Sequence, residues 1–158
     1  MPVLCILLFM LLMITQASAQ GPTAMESVSV TTTCEAMPPA LCQGAFGFQI
    51  SANGEWRAGP SPEGRTSTGR LAESEWSHLQ AAAERALQSG APETKECQPR
   101  PRLPGVMETV IVADQTHSVT LYGFGGKLDP ACGGATSAEA ELFRIADQLM
   151  RHYYPRPL

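Results

Sequence analysis

Cysteine and histidine have the widest chemical reach of the side chains in this sequence, and both are scarce. The 158 residues hold five cysteines and three histidines. Cys5 lies alone in an apolar N-terminal run, which leaves Cys34, Cys42, Cys97 and Cys132 as an even set. In an oxidising compartment four cysteines read as a disulfide framework, with three pairings open to them. We favour Cys34–Cys42 closing a local loop and Cys97–Cys132 tying a mid-chain loop to the loop before the last helix. A bridge spanning more than 30 residues, as the second would, stabilises by ~3–4 kcal/mol in the chain-entropy model.

The histidines are His78, His117 and His152. No two have the His-x-x-x-His spacing of metal ligands, and no Cys-x-x-Cys accompanies them, so a metal site would have to be assembled from distant positions. For nucleophilic catalysis the nearest candidates are Ser118 or Cys132 served by a histidine, but no Gly-x-Ser-x-Gly elbow is present. The acidic pairs Glu73/Glu75 and Glu139/Glu141 fall in first helical turns, where the helix dipole accounts for them. Gly123-Phe124-Gly125-Gly126 lacks the Lys-Ser/Thr of a phosphate loop. The expectation is therefore no catalytic residue, no cofactor and no metal. A small hydrolase using His78, His117 or His152 is the alternative, and a purely structural envelope protein is another.

Recognition is the remaining class of chemistry. Gln98-Pro99-Arg100-Pro101-Arg102-Leu103-Pro104 follows a cysteine and is stiffened by prolines, and a stiff segment loses less entropy on binding. His152-Tyr153-Tyr154-Pro155-Arg156-Pro157 offers residue types enriched at interfaces. Tyr153 belongs to a buried helical stripe, which leaves Tyr154 and Arg156. The candidate partner-binding residues are thus Arg100, Arg102, Leu103, Tyr154 and Arg156. The polar run Gly59–Thr66 has the composition of an exposed loop.

Several features bound the setting. Val3 to Ile14 is wholly apolar and leads to Ala17-Ser18-Ala19, the pattern of a signal peptide over 1–19 with cleavage before Gln20. The run is shorter than the roughly 20 apolar residues that span a bilayer, so no stable membrane anchor is expected after cleavage. No Lys or Arg precedes it. The formal net charge of −4 argues against a nucleic-acid partner. Arginine outnumbers lysine, and Asn53 is the only asparagine, so no Asn-x-Ser/Thr site exists. Composition reads as that of a GC-rich bacterium, and localisation as periplasmic or secreted.

Residues 20–158 are read as a single disulfide-containing domain. Val28–Thr33 is a β-branched strand running into Cys34. Phe46, Phe48 and Ile50 share one face of a second strand, and Asn53-Gly54 turns the chain into a third at Glu55–Ala58. Gly59 to Arg70 is expected to be loop. Trp76, Leu79, Ala83, Ala86 and Leu87 recur at helical spacing over about Glu73–Gln88, with Leu71 and Trp76 forming a hydrophobic staple. Val106–Ala113 and His117–Phe124 form a second hairpin, the latter with Val119, Leu121 and Gly123 on one face. Thr136 and Glu139 form a capping box for a second helix, whose stripe is Leu142, Ile145, Ala146, Leu149 and Tyr153.

The order β-β-β-α-β-β-α implies an α+β domain, with an antiparallel sheet of about five strands and two helices packed on one face. This layout, with Thr33-Cys34, Cys42, Phe46–Ile50, Asn53-Gly54 and Trp56, resembles a group of exported bacterial domains of unknown function. The gap between the first two cysteines is wider here than in that group. The resemblance carries no activity with it. The functional expectation is a non-enzymatic exported domain that binds a protein or cell-envelope partner, inhibitors being one such class.

Overall fold

The computed structural model describes residues 24–35, 46–60, 64–89, 105–124, 126–129 and 136–154. In chain order they form β1 (Ser27–Glu35), β2 (Phe46–Ser51), β3 (Glu55–Gly59), β4 (Ser67–Arg70), α1 (Glu73–Gln88), β5 (Gly105–Ala113), β6 (Ser118–Phe124), β7 (Lys127–Leu128) and α2 (Ser137–Tyr153). The strands make one antiparallel sheet of seven in the order β4-β3-β2-β1-β5-β6-β7. Two meanders, each followed by a helix, meet along β1 and β5. Their register runs unbroken from Ser27 opposite Ala113 to Glu35 opposite Gly105.

The class is α+β with an antiparallel sheet and two helices, but the sheet has seven strands where the sequence suggests five. β4 falls inside the segment expected to be loop. Its four residues are all exposed and show no alternation, so only main-chain pairing to β3 defines it. Gly69 lies opposite Trp56, and a Cβ there would come within 2.6 Å of the indole. β7 has two residues, too few to carry a pattern.

Strand alternation sorts side chains onto two faces. Val28, Val30, Phe48, Ile50, Ala58, Val110, Val112 and Leu121 point to one face and are buried. Against them pack Leu79, Ala82, Ala83 and Ala86 of α1 and Leu142, Phe143, Ile145, Ala146, Leu149 and Met150 of α2. Burying side chains as large as Phe48, Phe143 or Ile50 contributes roughly 1.5–3 kcal/mol each. The helices also pack on one another. Arg85 of α1 reaches Glu141 of α2 at 2.8 Å, a half-exposed pair of small energetic worth.

Local chemistry sets the helix boundaries. Thr136 Oγ1 accepts from the Glu139 N–H at 3.3 Å and the Thr136 N–H donates to Glu139 Oε2 at 2.6 Å, which completes the expected capping box. At the start of α1 the Glu75 carboxylate accepts from the Ala72 N–H at 3.0 Å. The same carboxylate accepts a hydrogen bond from the Tyr153 hydroxyl of α2. That bond favours the neutral phenol and pushes the Tyr153 pKa above its ordinary value. The tie joins the N-terminal end of one helix to the C-terminal end of the other. In the β2–β3 hairpin the Gly54 N–H donates to the Ser51 carbonyl at 2.9 Å, and Asn53 Oδ1 accepts from the Glu55 N–H at 3.1 Å.

Gly123 of β6 lies close under Phe143 of α2. A Cβ at this position would fall 2.0 Å from Phe143 Cζ and 2.6 Å from the Lys127 carbonyl oxygen. Gly123→Ala should therefore destabilise by about 1–3 kcal/mol through overpacking, read as a lower urea midpoint. Adding Phe143→Leu should recover only part of the loss, because the Lys127 carbonyl remains in place. An unchanged midpoint in Gly123→Ala would contradict this packing.

Candidate functional site

The face of the sheet away from the helices carries Ser29, Thr31, Gln49, Ser51, Glu55, Arg57, Thr68, Arg70, Met107, Thr109, Ile111, Thr120, Tyr122 and Phe124 by strand alternation and register. It divides into two halves. Across β5 and β6, Met107 lies opposite Phe124, Thr109 opposite Tyr122 and Ile111 opposite Thr120. Ile111 and Phe124 are 36% and 40% exposed, the exposed large hydrophobic side chains among the described residues.

The other half, across β2, β3 and β4, is polar. In one row across the strands stand Thr68, Arg57, Gln49 and Ser29. This row is a ridge between two shallow concavities. One, of about 700 Å³, is bordered by Ser51, Glu55, Thr68 and Arg70. The second, of about 440 Å³, lies over the paired Gly47 and Gly59 and is bordered by Thr31, Pro60 and Thr66. Gln49 and Arg57 line both. Arg57 is exposed, and Arg70 Nη2 donates to the Asn53 carbonyl at 3.1 Å.

The structure does not gather the three histidines into one site. His78 lies on α1 with Nε2 3.6 Å from Glu141. His152 sits exposed in the last turn of α2, edge-on to Tyr153. His117 occupies the β5–β6 turn, 76% exposed, with Nδ1 2.7 Å from Thr116 Oγ1 and 3.7 Å from Asp114 Oδ1. Asp114 Oδ1 is already engaged, accepting from the N–H groups of Thr116 and His117 at 2.7 Å each. Those two backbone donors hold its carboxyl below the ordinary aspartate value. The trio closes the β5–β6 turn. No group of three metal-ligating side chains occurs among the described residues, and no helix among them is long and apolar enough to cross a membrane.

The sequence-based candidates fare unevenly. Tyr154 is half-buried and stacks on Phe46 with ring centroids 4.3 Å apart. The reason is chain direction, since the turn ending α2 lays this ring along the first residue of β2. Arg100, Arg102, Leu103 and Arg156 lie outside the described residues, as do Cys42, Cys97 and Cys132. Cys34 stands near the end of β1 opposite Val106 and is disulfide-bonded.

Sequence reasoning missed Gln49, Arg57, Ile111 and Phe124 as surface candidates. The available signal was alternation: Gln49 separates Phe48 from Ile50, and Arg57 precedes the buried Ala58. It also missed an ionic clamp on the buried carboxylate Glu108. Glu108 is 1% exposed. It accepts from Arg151 Nη2 at 3.1 Å and from the Gly126 N–H at 2.9 Å. Arg151 Nε is held in turn by the Asp147 carboxylate at 2.8 and 2.9 Å.

Compared with known protein families and with curated proteins, the chain finds no match.

Asp114 provides a pH test. A carboxyl whose pKa is depressed by folding contributes stability above its unfolded pKa and loses it as pH falls through the folded value. Asp114→Ala should lower the urea midpoint at pH 7. The gap to the parent protein should close as pH falls below the carboxylate range. A gap that stays constant with pH would contradict the role given to these hydrogen bonds.

Proposed function

We infer that this chain is an exported, non-enzymatic domain that binds a protein or cell-envelope partner through the face of its sheet away from the helices. The observation that carries this reading is the exposure of Ile111 and Phe124 on that face, beside Met107 and Tyr122 on the same strand pair. Contiguous apolar surface left in water is a mark of an interaction site, and aromatic residues and Met are enriched in interface centres. Export is supported by the apolar run Val3–Ile14 followed by Ala17-Ser18-Ala19, which also favours disulfides over free thiols at Cys34, Cys42, Cys97 and Cys132, with Cys34–Cys42 and Cys97–Cys132 the pairing we favour.

The test is recovery of partners from an envelope extract by the immobilised domain. Ile111→Glu and Phe124→Glu place charge in the apolar half without disturbing the buried face. Each should reduce recovery of the specific partner about tenfold or more, as hot-spot substitutions do, with the urea midpoint unchanged. Arg100→Ala/Arg102→Ala serves as the comparison, testing the proline-rich segment separately. Full recovery by both glutamate variants, with loss in the double arginine variant, would move the site to that segment.

A further inference from the structure

We propose that the polar half of the open face, centred on Arg57, binds a carboxylate-bearing polysaccharide; this rests on the reading of the open face as the binding surface. The geometry supports the choice of ligand in three steps.

Charge comes first. The described charged side chains of the polar half are Arg57, Arg70 and Glu55, with Glu55 directly opposite Arg70. The whole chain carries −4, so the remaining surface is more acidic than the total suggests. A cationic patch on an acidic protein favours a polyanion at this face. Arg57 is exposed and makes no ion pair among the described residues. Arg57 and Arg70 occupy diagonal positions on adjacent strands, about 7–8 Å apart at that spacing. Arg57 can grip a carboxylate in the two-pronged way that a lysine cannot, while Arg70, which donates to the Asn53 carbonyl and faces Glu55, adds positive charge beside it.

Shape is the second step. The Arg57–Gln49 ridge has a trough on either side, one of them open because Gly47 and Gly59 place no side chain over the sheet. Both are shallow, and together they form an extended surface rather than a closed pocket. That suits a chain lying across the strands.

Surface chemistry is the third. Gln49, Thr68, Ser29, Thr31 and Thr66 border the troughs, and their hydroxyl and amide groups both donate and accept hydrogen bonds. Sugar hydroxyls do the same.

The experiment uses the mature protein with polygalacturonate as probe, read by retardation in affinity electrophoresis at low salt. Fully methyl-esterified polygalacturonate keeps the backbone and removes the charge; poly-glutamate keeps the charge and removes the sugar. The parent protein should bind polygalacturonate and neither control. Arg57→Gln should weaken binding about tenfold or more, the loss for a charge-assisted contact, and Arg70→Gln by a smaller factor. Arg144→Gln, on the exposed side of α2, should leave it unchanged although it removes the same charge. Equal losses in Arg57→Gln and Arg144→Gln would overturn the proposal, as would binding to poly-glutamate alone or to no probe. If no probe binds while Ile111→Glu still abolishes partner recovery, the polysaccharide assignment fails and the binding face stands. If open-face substitutions also leave partner recovery intact, both fall.

Discussion

Seven strands alternate their side chains between two faces, and two helices cover only one of them. Everything else in the molecule follows from that inequality. On the covered face Val28, Val30, Phe48, Ile50, Val110 and Val112 meet the helices and leave the solvent. Their apolar area is the main source of stability. On the other face the same strands must remain compatible with water, and most positions there are Ser, Thr, Gln or Arg. Ile111, Phe124 and their neighbours depart from that rule.

The edges of the fold need a different kind of support. β6 and β7 are joined at Gly126, and the sheet there is only two residues deep. The clamp of Glu108, Arg151 and Asp147 ties this corner to α2, with Glu108 also accepting from the Gly126 N–H. A carboxylate removed from water in this way is tolerable because its oxygens are matched by donors. The opposite corner is tied by rings: Trp56 of β3 packs on Tyr153 at 5.2 Å between centroids, and Tyr154 stacks on Phe46. The end of α2 thus organises both halves of the sheet.

Much of the fold was legible because its signals are local. The capping box at Thr136 and Glu139 and the single-face sets Phe46/Phe48/Ile50 and Leu121/Gly123 follow from residue chemistry over a few positions. β4 was not legible, since Ser67–Arg70 is exposed on both sides and owes its conformation to β3. Ala82, Phe143 and Met150 widened the buried stripes beyond the narrow spacing read from sequence, because each helix touches both the sheet and its partner helix. The stacking of Tyr154 on Phe46 was not legible for the same reason: nothing in the sequence near Tyr154 announces Phe46. The exposure of Ile111 was hidden by a related effect. Val110-Ile111-Val112 reads as one apolar run, and only the one-sided placement of the helices leaves its middle residue outside.

The functional account places binding on the face that the helices leave open, with an apolar half at β5–β6 and a cationic, hydroxyl-rich half at β2–β4. Hydroxyl-radical footprinting of the mature protein, alone and in an envelope extract, tests that placement most directly. The account predicts that Met107, Tyr122 and Phe124 become protected while His78 on α1 and His152 on α2 keep their reactivity. Protection of the two histidines with unchanged labelling of Met107, Tyr122 and Phe124 would contradict it.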